Sequence, residues 1–251
     1  MLTEAESERF RELLALPMES MHISAGVGTL SEKYLHAFLK HYFEPDEDFH
    51  EVAIGRFTAD ICREMSIVEI QTRSMDKLRE KLEYYLLEGY SVNVVHPIPH
   101  TKWLSWIDPD DGSVSPKRRS RKTGSYFDAL WELYKIKYFL DWDKLSVTLM
   151  LIDMEEYRNL DGYGAKRKRR STRNDRIPVG LCDVEVLRTP DDYKRLFMPQ
   201  SIEERFTIEE YCKAAGILRE NAYTPLSILQ YMGVIDQDGR DGRKKVYRRC
   251  L

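Results

Sequence analysis

The chain has 251 residues, enough for one sizeable domain or for one domain plus a small one. With 42% apolar and 32% charged residues it fits a soluble globular protein and excludes global disorder. The formal net charge of -3 does not announce a polyanionic partner, yet basic residues gather in three runs at 117–122, 166–170 and 240–249, so a basic face for nucleic acid stays open. The cysteines Cys62, Cys182, Cys212 and Cys250 form no CxxC pair and have no nearby histidine at zinc-ligand spacing. That argues against a structural zinc site and for reduced thiols. The acidic, amphipathic start lacks a signal-peptide pattern, and no apolar run is long enough for a bilayer, so the expectation is a cytoplasmic protein without membrane contact.

Residues 3–15 read as a helix with Thr3 as cap and Phe10, Leu13 and Leu14 on one face. Ser31 opens a second helix to residue 43, with Tyr34, Leu35, Phe38, Leu39 and Tyr42 inward; Pro45 stops it. Alternation over 49–54, 57–61 and 67–71 predicts an antiparallel meander. A helix over 76–88 follows, with Gly89 as C-cap. Strands are then expected at 92–95, 103–107, 145–152 and 179–187, with a helix at 125–139 and loop over 158–178.

Glu69 and Gln71 are i and i+2 on one strand and share a face; Asp60 lies on the strand before. Two carboxylates on paired strands can hold a hard divalent ion, which activates water and neutralises phosphodiester charge. The carbonyl of Ile70 offers a further oxygen. Acidic residues on strands are also commonly no more than the solvated face of a sheet.

Asp60, eight residues, then Glu69-x-Gln71, preceded by a helix bearing Glu32 and followed by the helix at 76–88, resembles the PD-(D/E)XK nuclease superfamily. The resemblance covers roughly residues 28–110 and extends to the strand at 145–152. It implies an α/β fold with a restriction-endonuclease-like mixed sheet and flanking helices. It further implies Mg²⁺ or Mn²⁺ held by Asp60, Glu69 and Ile70, with Glu51 as a further acid, and catalysis by Asp60, Glu69, Gln71 and Glu32. Two positions depart from the pattern. Gln71 replaces the lysine and supplies no charge, and Ala59 stands where the motif has proline. The implied function is a metal-dependent endonuclease acting on DNA; the alternative is a catalytically inactive nuclease-fold DNA-binding or regulatory protein.

Residues 1–188 form the expected nuclease-like domain, 189–204 a linker or packing arm between domains, and 205–251 a small module resembling a winged helix. In that module Thr207 caps one helix, Gly216 breaks it, and a second helix spans 218–232 with Pro225 inside it. Asp238-Gly239 and Asp241-Gly242 set a basic hairpin. Arg219 and Tyr223 would approach a DNA groove, and Arg243, Lys244 and Lys245 its phosphates. Lys166, Arg167, Lys168, Arg169 and Arg170 would hold backbone near the acids. The bland reading of the module is packing or dimerisation, which would give a homodimer. His96, His100 and the Pro97-Ile98-Pro99 step read first as a strand end entering a loop, and second as a metal or catalytic site. Gly26-x-Gly28 follows no strand and supports no dinucleotide site.

Overall fold

The computed structural model describes residues 2–17, 33–161 and 171–250. The predicted Ser31 helix start, Glu32, the Gly26-x-Gly28 step and the run Lys166–Arg170 lie outside the described residues. The chain divides into two compact units. Unit 1 takes Met1–Thr72, Val95–Ser125 and Leu149–Glu185; unit 2 takes Arg73–Val94, Tyr126–Thr148 and Val186–Leu251.

Unit 1 starts with α1 (Glu4–Ala15), closed by a capping box in which Thr3 accepts from the Glu6 amide and the Glu6 carboxylate accepts from the Thr3 amide. Then come α2 (Lys33–Phe43) and the meander β1 (His50–Ile54), β2 (Phe57–Arg63) and β3 (Ser66–Ile70). The registers are antiparallel, with Val52 facing Ala59 and Ile61 facing Val68. Phe10, Tyr34, Leu35, Phe38, Leu39 and Tyr42 bury against Ile61, Ile70, Val95, Met150, Ile152, Met154 and Val184. The Phe10 and Phe38 rings meet edge to face with centroids 4.8 Å apart.

The strand order of the large mixed sheet is β1-β2-β3-β4-β6-β7, with the short β5 (Arg118–Arg119) paired to β4 (Ser91–Ile107). β6 (Leu145–Asn159) runs parallel to β4, since Asn93 meets Thr148 near one end and Ile107 meets Leu160 just past the other. β7 (Thr172–Leu187) returns antiparallel to β6, with Asn174 beside Asn159 and Gly180 beside Asp153.

The structure departs from the predicted elements at several points. β4 is one continuous strand through Pro97 and Pro99, not two strands with a loop between. Proline removes a ladder donor and is usually confined to sheet edges and bulges, hence the expected break. Two residues past Pro99, the Thr101 amide donates to the Asp153 carboxylate at 2.7 Å. β7 begins at Thr172, inside a stretch expected to be loop, because its polar residues Asn174, Asp175 and Arg176 are buried by hydrogen bonding rather than by apolarity. The segment read as a linker or packing arm carries α5 (Pro190–Phe197), with Tyr193 and Phe197 buried and Thr189 and Asp192 forming a capping box.

Unit 2 holds α3 (Arg79–Leu87), whose Leu82 and Tyr85 are fully buried, and α4 (Leu130–Lys135), flanked by 3-10 turns where one helix over 125–139 was expected. It also holds α5 and a small antiparallel sheet of order β8-β10-β9. β8 (Arg205–Thr207) leads into α6 (Ile208–Ala215), capped by Thr207 with Glu210 and ended by Gly216 at φ 65. Only glycine adopts that left-handed conformation without strain. α7 (Tyr223–Tyr231) follows a 3-10 turn at Arg219–Asn221, so Pro225 falls in the first helical turn, where its missing N–H is harmless. β9 (Ile235–Asp241) and β10 (Lys244–Arg249) close the hairpin at Gly242-Arg243.

Phe38→Ala removes a fully buried ring from the unit 1 core. Urea unfolding of this variant is expected to show a loss of about 3–5 kcal/mol; a loss within a few tenths would mean that the α2 contact does not hold the sheet.

Candidate functional site

The β2–β3 ladder pairs Ile61 with Val68, and Asp60 and Glu69 are the residues next to that pair on the two strands. The environment differs from a hydrated metal site. Asp60 Oδ2 accepts the Ile70 amide at 2.7 Å and lies 3.1 Å from His36 Nε2 on α2. Glu69 is completely buried. Gln71 is half-buried; its amide donates to the Val95 carbonyl, and its own carbonyl lies 2.6 Å from His96 Nδ1. A carbonyl only accepts, so His96 carries its proton on Nδ1. Glu51 is exposed, sits at φ 52, and pairs with Lys40 at 2.6 Å rather than with the Asp60 group.

A second cluster has no counterpart among the predicted sites. Glu156 of β6 is fully buried and gathers cations from three adjacent strands: Arg158 at 2.5 Å, Arg176 at 3.2 Å and Lys102 at 3.7 Å. Burial opposes its ionisation, but Lys102, Arg176 and Arg158 together outweigh burial and hold the carboxyl at about 2. Burial also pulls Arg176 down to about 10. The neighbouring Asp175 is pushed up to about 6 by burial, against the pull of the Arg176 amide. Most of these residues fall at the edge of, or inside, the stretch whose polarity predicts a loop. The alternation Asn174, Arg176 and Glu156, Arg158 is the available signal, obscured by that polarity.

The third cluster joins β4, β6 and β7. Asp153 Oδ1 lies 2.9 Å from His100 Nδ1 and accepts the Thr101 amide at 2.7 Å; Cys182 Sγ lies 3.4 Å from the same His100 nitrogen. Burial, with a hydrogen bond to Asp153, pushes the Cys182 thiol up to about 12. The Asp153 carboxyl is held low despite burial, by His100 and the Thr101 amide.

In unit 2, Arg219, Tyr223, Arg243, Lys244 and Lys245 are all exposed. The flank of α7 is not. Lys137 Nζ donates to Ser227 Oγ at 3.2 Å, and the Tyr231 hydroxyl donates to Asp141 at 2.7 Å, with the Tyr138 carbonyl also in reach at 3.2 Å. Within α7 only Tyr223, at its start, and Gln230, in its last turn, remain exposed, so the helix presents its ends rather than its side. Among the described residues no helix is long and apolar enough to cross a membrane.

Residues 33–188 match a family described as a domain of unknown function (DUF8091). The chain belongs to this family. The matched stretch runs from α2 to the end of β7 and contains all three clusters of unit 1. An uncharacterized protein of Treponema pallidum (strain Nichols) is 27% identical over 225 residues, covering 89% of this chain and 87% of the relative. No solved structure matches.

Glu156→Gln leaves three cations around a neutral amide and is expected to cost about 3–5 kcal/mol in urea unfolding; an unchanged midpoint would remove the network from the stabilising interactions. The Asp175 pKa is raised in the folded state, so its contribution is full below the unfolded value of about 4 and is lost as pH rises through about 6. Asp175→Asn is therefore expected to stabilise at pH 8 and to flatten the pH dependence across that window, as followed by thermal unfolding; a variant with the wild-type pH profile would exclude Asp175 as its source.

Proposed function

We propose that this protein binds nucleic acid through a restriction-endonuclease-like domain joined to a winged-helix-like module, and does not cleave it. The order α2-β1-β2-β3-α3-β4 supports the first part of the reading, being the helix, three-strand meander, helix and strand of that superfamily. For the module, the support is the order α5-β8-α6-α7-β9-β10 with sheet order β8-β10-β9. Its hairpin exposes Arg240, Arg243, Lys244 and Lys245, and the α7 end adds Arg219 and Tyr223. The covered flank of α7 favours contact with backbone phosphates over reading of a groove.

One observation carries the non-catalytic half: the environment of the acid pair. A Mg²⁺ ion keeps several waters and binds through carboxylate oxygens at about 2.0–2.1 Å. Glu69 has no solvent-accessible surface, Asp60 Oδ2 is engaged by the Ile70 amide and His36, and Gln71 brings no positive charge. The residues present do not fit a hydrated Mg²⁺ or Mn²⁺. Asp60 instead acts as a tie between β2, the end of β3 and α2.

Labelled duplex DNA titrated at low salt is expected to bind with an affinity that falls steeply as salt rises, and to remain intact with Mg²⁺ or Mn²⁺. Replacing Arg243, Lys244 and Lys245 together by Ala should weaken binding and reduce the log–log salt slope by roughly 0.9 for each phosphate that is no longer neutralised. Absence of low-salt binding would remove the nucleic-acid reading. Cleavage abolished by Asp60→Ala would instead make the protein a nuclease.

A further inference from the structure

We propose that His100, Asp153 and Cys182 form a site for one divalent transition-metal ion, Zn²⁺ by donor type, with water completing the coordination. The three ligating atoms lie within 4.8 Å of one another. They come from three different strands, so the site is fixed by the sheet and not by a mobile loop. A nitrogen, an oxygen and a sulfur donor make a borderline-soft set, which suits Zn²⁺ or Co²⁺ and not Mg²⁺.

Tetrahedral zinc, with bonds of about 2.0–2.3 Å, separates neighbouring donors by roughly 3.3–3.6 Å. The Cys182 Sγ to His100 Nδ1 distance is 3.4 Å, and the His100 Nδ1 to Asp153 Oδ1 distance is 2.9 Å. The second pair needs to open by only a few tenths of an ångström. The Thr101 amide on Asp153 Oδ1 orients the carboxylate from outside the donor set. Gly180, beside Asp153, has no side chain to fill the approach. The His100 and Asp153 side chains are 34% and 27% exposed and Cys182 is exposed, which leaves an entry path and room for water.

The same residue types suggest a cysteine nucleophile activated by a His–Asp pair. The geometry argues against that. Asp153 and Cys182 both approach Nδ1 of His100, whereas a proton relay needs them on opposite ring nitrogens. A single ion at the shared point satisfies all three donors. Binding requires the His100 tautomer with its proton on Nε2, and the Cys182 proton leaves to water. The site is independent of the nucleic-acid reading and stands or falls without it.

The test is Co²⁺ titration of the full-length, untagged protein after removal of metal with a chelator. The expected result is a stoichiometric thiolate-to-cobalt charge-transfer band with visible bands of tetrahedral intensity, both bleached by Zn²⁺. Cys182→Ser should abolish the charge-transfer band while circular dichroism stays native. Cys62→Ser, Cys212→Ser and Cys250→Ser should each retain it. His100→Ala and Asp153→Ala should weaken Co²⁺ affinity by roughly tenfold or more. No charge-transfer band in the wild-type protein, or a band that survives in Cys182→Ser, would overturn the proposal.

Discussion

The apolar contact of α1 and α2 with the sheet decides where every polar group of unit 1 lies. Strand side chains alternate with a period of two, so a slip of one residue exchanges the faces of an entire strand. Phe38, Leu35 and Leu39 select Ile61, Ile70 and Met154 as the inward set, and through that choice they fix the register of the meander. Asp60 and Glu69 come to flank the end of the ladder because Ile61 is locked opposite Val68. Burial at about 25 cal/mol per Å² supplies the force, and the ion pairs accept the positions that it imposes.

The charged clusters then differ in what they do with burial. Around Glu156, three cations from three strands compensate one carboxylate away from water, and removal of that carboxylate is costly because the remainder cannot be solvated. Around Asp153 the groups are half-exposed and the sulfur is held as a neutral thiol. Asp60 lies between these extremes, close to dry, with its acceptor capacity directed to an amide and an imidazole. The chemistry open to a carboxylate is thus set less by its presence in a motif than by how much of it water can reach.

What could be read in the sequence follows the same physics. The inward face of α2, the meander, the Thr207 cap and the Asp-Gly hairpin are local patterns, and the structure contains them. The placement of Asp60 and Glu69 on neighbouring strands is legible too, since a short turn leaves little freedom of register. The other two clusters depend on long-range sheet order. His100, Asp153 and Cys182 are separated by 53 and 82 residues as counted from His100, beyond any spacing rule for metal ligands. Arg176 sits in a stretch whose polarity imitates a loop, and its partner Glu156 stands just before that stretch. The burial of Glu69 is equally hidden, because alternation assigns a face but not the depth of what covers it.

The uninterrupted course of β4 through Pro97 and Pro99 has a consequence for how its stability would be observed. Amide hydrogen exchange reports the opening of a strand residue by residue, and two residues of this one carry no amide hydrogen. The strand joining β3 to β6 would therefore show silent positions shortly before Thr101, whose hydrogen is bonded to the Asp153 side chain. Protection at Thr101 would follow the protonation and occupancy of Asp153, so one slow amide in the sheet doubles as a native reporter on the state of the half-exposed cluster.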